Sequence, residues 1–179
     1  MKSRTKLITP LTVALAGLCA ALVFMPQLEA QAQRLRCSVF ITQARIPNSL
    51  SERGLVRFVR GHRAARLRET GEPELNDRKW LANAVFQFNR SPGDLEFHAL
   101  FYDITDGPRD FVREMSVFVS DRNQRTVLHR LLLPRPTFRP NRRMEMVVTV
   151  RRNEVGTLRF QTVGEEVRHS GVVDFSDGQ

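Results

Sequence analysis

From Trp80 onward, apolar side chains recur at every second position, and that period constrains the fold more than any other feature of the chain. Trp80, Ala82, Ala84, Phe86 and Phe88 alternate with Leu81, Asn83, Val85 and Gln87. Successive side chains of a strand point to opposite faces, so such a run carries one continuous apolar face. Leu95, Phe97, Ala99 and Phe101 repeat the pattern against Glu96, His98, Leu100 and Tyr102, with the turn residues Ser91-Pro92-Gly93-Asp94 between the two runs. That arrangement predicts a β-hairpin. Met115, Val117 and Val119 follow a polar loop from Asp103 to Arg109, and a turn at Ser120–Asn123 leads into Thr126–Leu133.

The segment Pro134–Arg143 holds three prolines, which lack N–H donors, so it cannot be a central strand. It is long enough to cross from one sheet to another. Met144, Met146, Val148 and Val150 resume the alternation, Arg152-Asn153-Glu154 turns the chain, and Leu158 and Phe160 mark the next strand. Val163–Glu166 turns it again, before a last strand expected at Val167–Phe175. Seven or eight strands at this spacing predict an all-β fold: an antiparallel β-sandwich, Ig-like or C2-like, with a Greek-key connection between sheets.

Upstream, Leu35–Ile41 reads as a first strand and Ile46–Ser49 as a turn. Ser49 and Glu52 have capping-box spacing. Leu55, Phe58, Val59, His62 and Ala65 follow at helical offsets, with Arg53, Arg57, Arg60 and Arg63 on the other side, which predicts one short amphipathic helix. Gly61 marks its expected end, leaving Ala65–Glu69 extended.

The first 32 residues have a different character. Lys2, Arg4 and Lys6 precede an uncharged stretch from Leu7 to Met25, and Ala30-Gln31-Ala32 supplies the small residues that a signal peptidase accepts. This is the layout of a secretory signal cleaved after Ala32, with a single β-sandwich domain over residues 33–179. An uncleaved membrane anchor is the alternative, since the apolar stretch approaches the length needed to span a bilayer. Lipidation at Cys19 is disfavoured by the bulky Leu18 before it. The expected location is therefore periplasmic or extracellular. Cys37 is the only cysteine left after cleavage, so no internal disulfide can staple the domain, and its place in an apolar strand predicts a buried thiol.

The complete chain carries a net charge of +9. Lys79 is the only lysine beyond the signal, so the positive charge is almost all arginine. A GC-rich genome explains arginine through codon usage, whereas guanidinium forks that grip phosphate or carboxylate explain it through function. Two basic groups stand out. One is the helical set Arg53, Arg57, Arg60 and Arg63. The other is the crossover set Arg135, Arg139, Arg142 and Arg143 around Phe138. Such groups suit an anionic polymer or an envelope protein partner. Glu52, Glu69 and Glu145 are local acids that compete for them.

Other chemistry is sparse. The four histidines fall in different elements with no metal-ligand spacing. Asp103, Asp106 and Asp110 gather three carboxylates in one loop, the kind of hard-oxygen cluster that holds calcium in C2-like sandwiches, although Arg109 and Arg113 lie close by. No Gly-x-Ser-x-Gly elbow and no glycine-rich phosphate loop is present, so no catalytic residue is assigned and an enzyme of unknown class is the remotest reading.

The stretches SERGLVRFVRGHRAARLRET (residues 51–70) and FYDITDGPRDFVREMSVFVSDRNQRT (residues 101–126) resemble uncharacterised exported proteins of GC-rich myxobacteria. That resemblance implies export into a Gram-negative envelope and carries no activity with it. The resulting expectation is a non-enzymatic exported module, without cofactor, that binds another envelope component through an arginine-rich surface, with a calcium-dependent C2-like domain as the alternative.

Overall fold

The structure, a computed structural model, describes residues 34–166. The signal read in residues 1–32 and the strand expected at 167–175 lie outside the described residues.

Among the described residues, eight strands and one α-helix follow in the order β1 (Cys37–Thr42), α1 (Glu52–Gly61), β2 (Arg66–Arg68), β3 (Lys79–Phe88), β4 (Glu96–Asp103), β5 (Asp110–Phe118), β6 (Thr126–Pro134), β7 (Arg143–Val150) and β8 (Asn153–Val163). They form a β-sandwich. One sheet has three strands in the order β1-β3-β6, and the other has five in the order β2-β8-β7-β4-β5. All pairs are antiparallel except β2 with β8, which is parallel. The all-antiparallel expectation fails there because β2 is reached over α1 from the opposite sheet, so no hairpin sets its direction.

The alternation built this core as expected. Trp80, Ala84 and Phe86 on β3, Phe97, Ala99 and Phe101 on β4, and Met146 and Val148 on β7 are all fully buried. Small alanines sit among the large rings, so the two layers interdigitate. Phe97 meets Phe86 edge-on at 5.0 Å and Phe88 at 5.3 Å.

Those ring contacts also expose a misreading. β3 and β4 are not a hairpin: β3 pairs with β1 and β6, and β4 pairs with β5 and β7. They face each other across the sandwich, joined by an arch. Both runs have a fully apolar face, and period two specifies that face without specifying which sheet it belongs to. The seven residues between Phe88 and Glu96 exceed the usual hairpin loop and cover the ~10 Å between stacked sheets. Gly93, at φ 69°, takes the left-handed turn within them. The connection from β5 to β6 also changes sheets, as does the proline-rich crossover from β6 to β7. The β7–β8 hairpin tip falls on Arg151 and Arg152, at φ 50° and 66°, one residue before the expected turn.

α1 lies on the outer side of the three-stranded sheet, where Val59 packs with Phe40 and Val85. Its N-cap is Ser51, whose Oγ accepts from the Gly54 N–H at 3.3 Å. The capping box at Ser49 and Glu52 is therefore not used. The helix buries Val56 and Val59, leaves Leu55 and Phe58 half-buried, and ends at an exposed His62. Ala65 lies beyond it. Among the described residues no helix is long and apolar enough to cross a membrane.

Candidate anion-binding face

The crossover set divides on folding. Phe138 is only 1% exposed and meets Phe101 edge-on at 5.5 Å, so it is a core ring and not a surface contact. The Arg135 side chain is also buried. Its Nη2 donates to Glu69 Oε2 at 2.5 Å and to the Glu165 carbonyl at 2.6 Å, and its guanidinium lies 5.6 Å from the Trp80 ring centre. The crossover closes one end of the sandwich, and an end cap must send its aromatic inward and neutralise any charge it takes along. Arg143 bonds the Thr105 carbonyl at 2.5 Å. Among the described residues, only Arg139 of this set stands exposed with no hydrogen bond or ion pair to its side chain.

Arg142 engages two of the three loop carboxylates. Its Nε donates to Asp103 at 2.6 Å and its Nη2 to Asp106 at 2.8 Å. Asp103 also accepts from the Thr105 N–H at 2.8 Å. Burial alone would raise the Asp103 pKa, but Thr105 and Arg142 outweigh it and hold the carboxyl below its ordinary value. Asp110 stands opposite Asp103 in the β4–β5 pairing. Among the described residues no group of three His, Cys, Asp or Glu side chains is placed to hold a metal. Arg109, the sequence neighbour of these acids, turns instead to Glu145 at 2.6 Å. Arg159 binds the other oxygen of Glu145 at 2.9 Å.

The helical set keeps its charge available. Arg53, Arg57, Arg60 and Arg63 are all exposed, and none of them makes an ion pair among the described residues. Arg60 and Arg63 lie over the Phe40 ring, at 5.3 and 5.9 Å from its centre. Arg60 also donates to Gln87 Oε1 at 3.0 Å.

This side is lopsided in charge. β1, β3 and β6 contain no Asp or Glu, whereas the five-stranded sheet carries Glu96, Asp103, Asp110, Glu114, Glu145 and Glu154. The paired arginines sit with the acids, and the α1 arginines project above strands that carry none, with Glu52 of α1 itself beside them.

Two open clefts flank α1. One, of about 620 Å³, runs between the Gln43–Leu50 loop, Leu55, Leu81 and Leu128. The other, of about 770 Å³, lies at the start of the helix and is lined by Arg36, Arg53 and Arg125 with Ser38, Gln87 and Thr126. Arg36 and Arg125 gave no local sequence signal, because only the strand register brings them to α1. Cys37 is buried, and burial pushes its thiol up to about 12, so it offers no nucleophile. Compared with known families, curated proteins and solved structures, the chain finds no match in any of the three.

Proposed function

We propose that this is an exported, non-enzymatic β-sandwich module that binds an anionic polymer of the cell envelope through the α1 face of its three-stranded sheet. The observation that carries the reading is the set of exposed arginines on and just after α1, Arg53, Arg57, Arg60 and Arg63, which make no ion pair among the described residues and stand above strands that contain no acid. Guanidiniums spaced along one helix and the turn after it match charges repeated along a polymer. Two of them are stacked on Phe40, which limits the side-chain freedom lost on binding. Export follows from the N-terminal segment, and a periplasmic or extracellular location from export.

Binding of this kind releases counterions and weakens steeply as salt rises. The full chain is expected to be retained on heparin at physiological ionic strength and to elute at higher salt. Replacing Arg53, Arg57, Arg60 and Arg63 together by Gln lowers the eluting salt. Elution of the unaltered chain at physiological salt, like a neutral protein, rejects the proposal.

A further inference from the structure

We propose that the cleft at the start of α1 is an oxyanion seat, taking one sulfate or phosphate group. This rests on the polymer-binding reading for the source of that group, but the cleft has its own architecture. Ser38 on β1, Gln87 on β3 and Thr126 on β6 stand in one register row. Their neighbours Val39, Phe86 and Val127 point into the core, so the row forms a polar floor on the outer surface. Arg36, Arg53 and Arg125 surround this floor, and Glu52 is the one carboxylate in the lining. None of the three arginines is in an ion pair among the described residues.

Two details point to a ligand that accepts hydrogen bonds. Arg60 occupies Gln87 Oε1, which leaves the Gln87 amide NH2 to donate. Thr126 is only 5% exposed, and its hydroxyl has no hydrogen-bond partner. A buried hydroxyl without a partner is costly to leave so, and because its oxygen is closed off in the unliganded protein, it would meet an acceptor in the cleft by turning about χ1. Three guanidiniums exclude a cation. A tetrahedral oxyanion offers acceptors in several directions, towards the strand row and towards the arginines on the walls, and guanidinium forks match it bidentately.

Titration calorimetry of the full chain with inorganic phosphate and with sulfate tests the seat. Saturable binding is expected, weakened about tenfold or more in Arg36→Gln/Arg125→Gln. Thr126→Val, which trades the hydroxyl for a methyl of the same shape, is expected to weaken binding several-fold while leaving the melting temperature equal or higher, an outcome that misfolding would not produce. Absence of binding at millimolar anion, or equal affinity in the double variant, overturns the seat even if heparin is still retained. Conversely, anion binding that depends on Arg36 and Arg125 in a chain that ignores heparin keeps the seat for a free anion and removes the polymer. Competition between phosphate and heparin identifies the group as one carried by the polymer.

Discussion

Gly156 permits a sharp test of how the two sheets meet. It lies on β8, and a Cβ built there would stand 2.2 Å from the carbonyl oxygen of Cys37, 3.0 Å from its carbon and 3.1 Å from its Cβ. Carbon and oxygen atoms do not ordinarily approach closer than about 3.3 Å. Gly156→Ala therefore requires β1 and β8 to part by roughly 1 Å at this point. The obstacle is backbone, so no rotamer change relieves it. β1 cannot retreat freely, because all six of its residues are in register with β3. Overpacking a rigid site costs about 1–3 kcal/mol, and the upper end is expected here. Gly61→Ala is the opposite case. Nothing lies within 4 Å of its added methyl, and alanine favours the end of α1 by about 0.5–1 kcal/mol. Urea unfolding of both variants is the assay. In thermal terms Gly156→Ala lowers the midpoint by about 6–12 °C, and Gly61→Ala raises it by a few degrees. A Gly156→Ala protein within about 0.5 kcal/mol of the parent refutes the β1–β8 contact as described.

Glu69, Asp103 and Glu145 all hold folded pKa values below their ordinary ones, as burial is outweighed by bonds from Glu165 N–H and Arg135, from Thr105 and Arg142, and from Arg159 and Arg109 respectively. In acid the unfolded chain binds their protons first, so their stabilisation is complete above about pH 5 and is lost as pH falls through about 4 towards the folded values. A urea midpoint that rises between pH 6 and pH 3 contradicts this. Glu69→Gln leaves the buried Arg135 guanidinium without its counter-charge, and a loss of about 3 kcal/mol is expected in denaturant titration. Calcium at millimolar concentration is expected to leave the melting curve unchanged, since Arg142 already bridges Asp103 and Asp106; an upward shift would show a site there. Cys37 is expected to resist alkylation at pH 8 until denaturant is added, which mass spectrometry reads directly.

Much of the architecture was legible because burial in a sandwich is a local, periodic property. The alternation over Trp80–Phe88 and Met144–Val150 marked strands, the prolines of Pro134–Arg143 marked a crossing between sheets, and the arginines opposite Val59 marked the outward face of one helix. The errors share a cause. Trp80–Phe88 and Leu95–Tyr102 were assigned the right faces and the wrong neighbours. Phe138 looked like an exposed ring among arginines, and folding made it the plug of the sandwich end. The partner that Arg142 offers Asp103, 39 positions away, likewise depends on the fold and not on near neighbours in sequence.

The sequence by itself determined that this chain forms strands with one buried face, that a single short basic helix accompanies them, and that its charge is carried by arginine. Only the tertiary structure decided which arginines are consumed by acids and which remain unpaired above strands that carry no acid, and it alone brought Arg36, Arg53 and Arg125 around Ser38, Gln87 and Thr126. The physical reason is that a period of two states which way each side chain points but leaves open which strand lies alongside. Charge pairing, cation–π stacking and clefts all depend on that second choice.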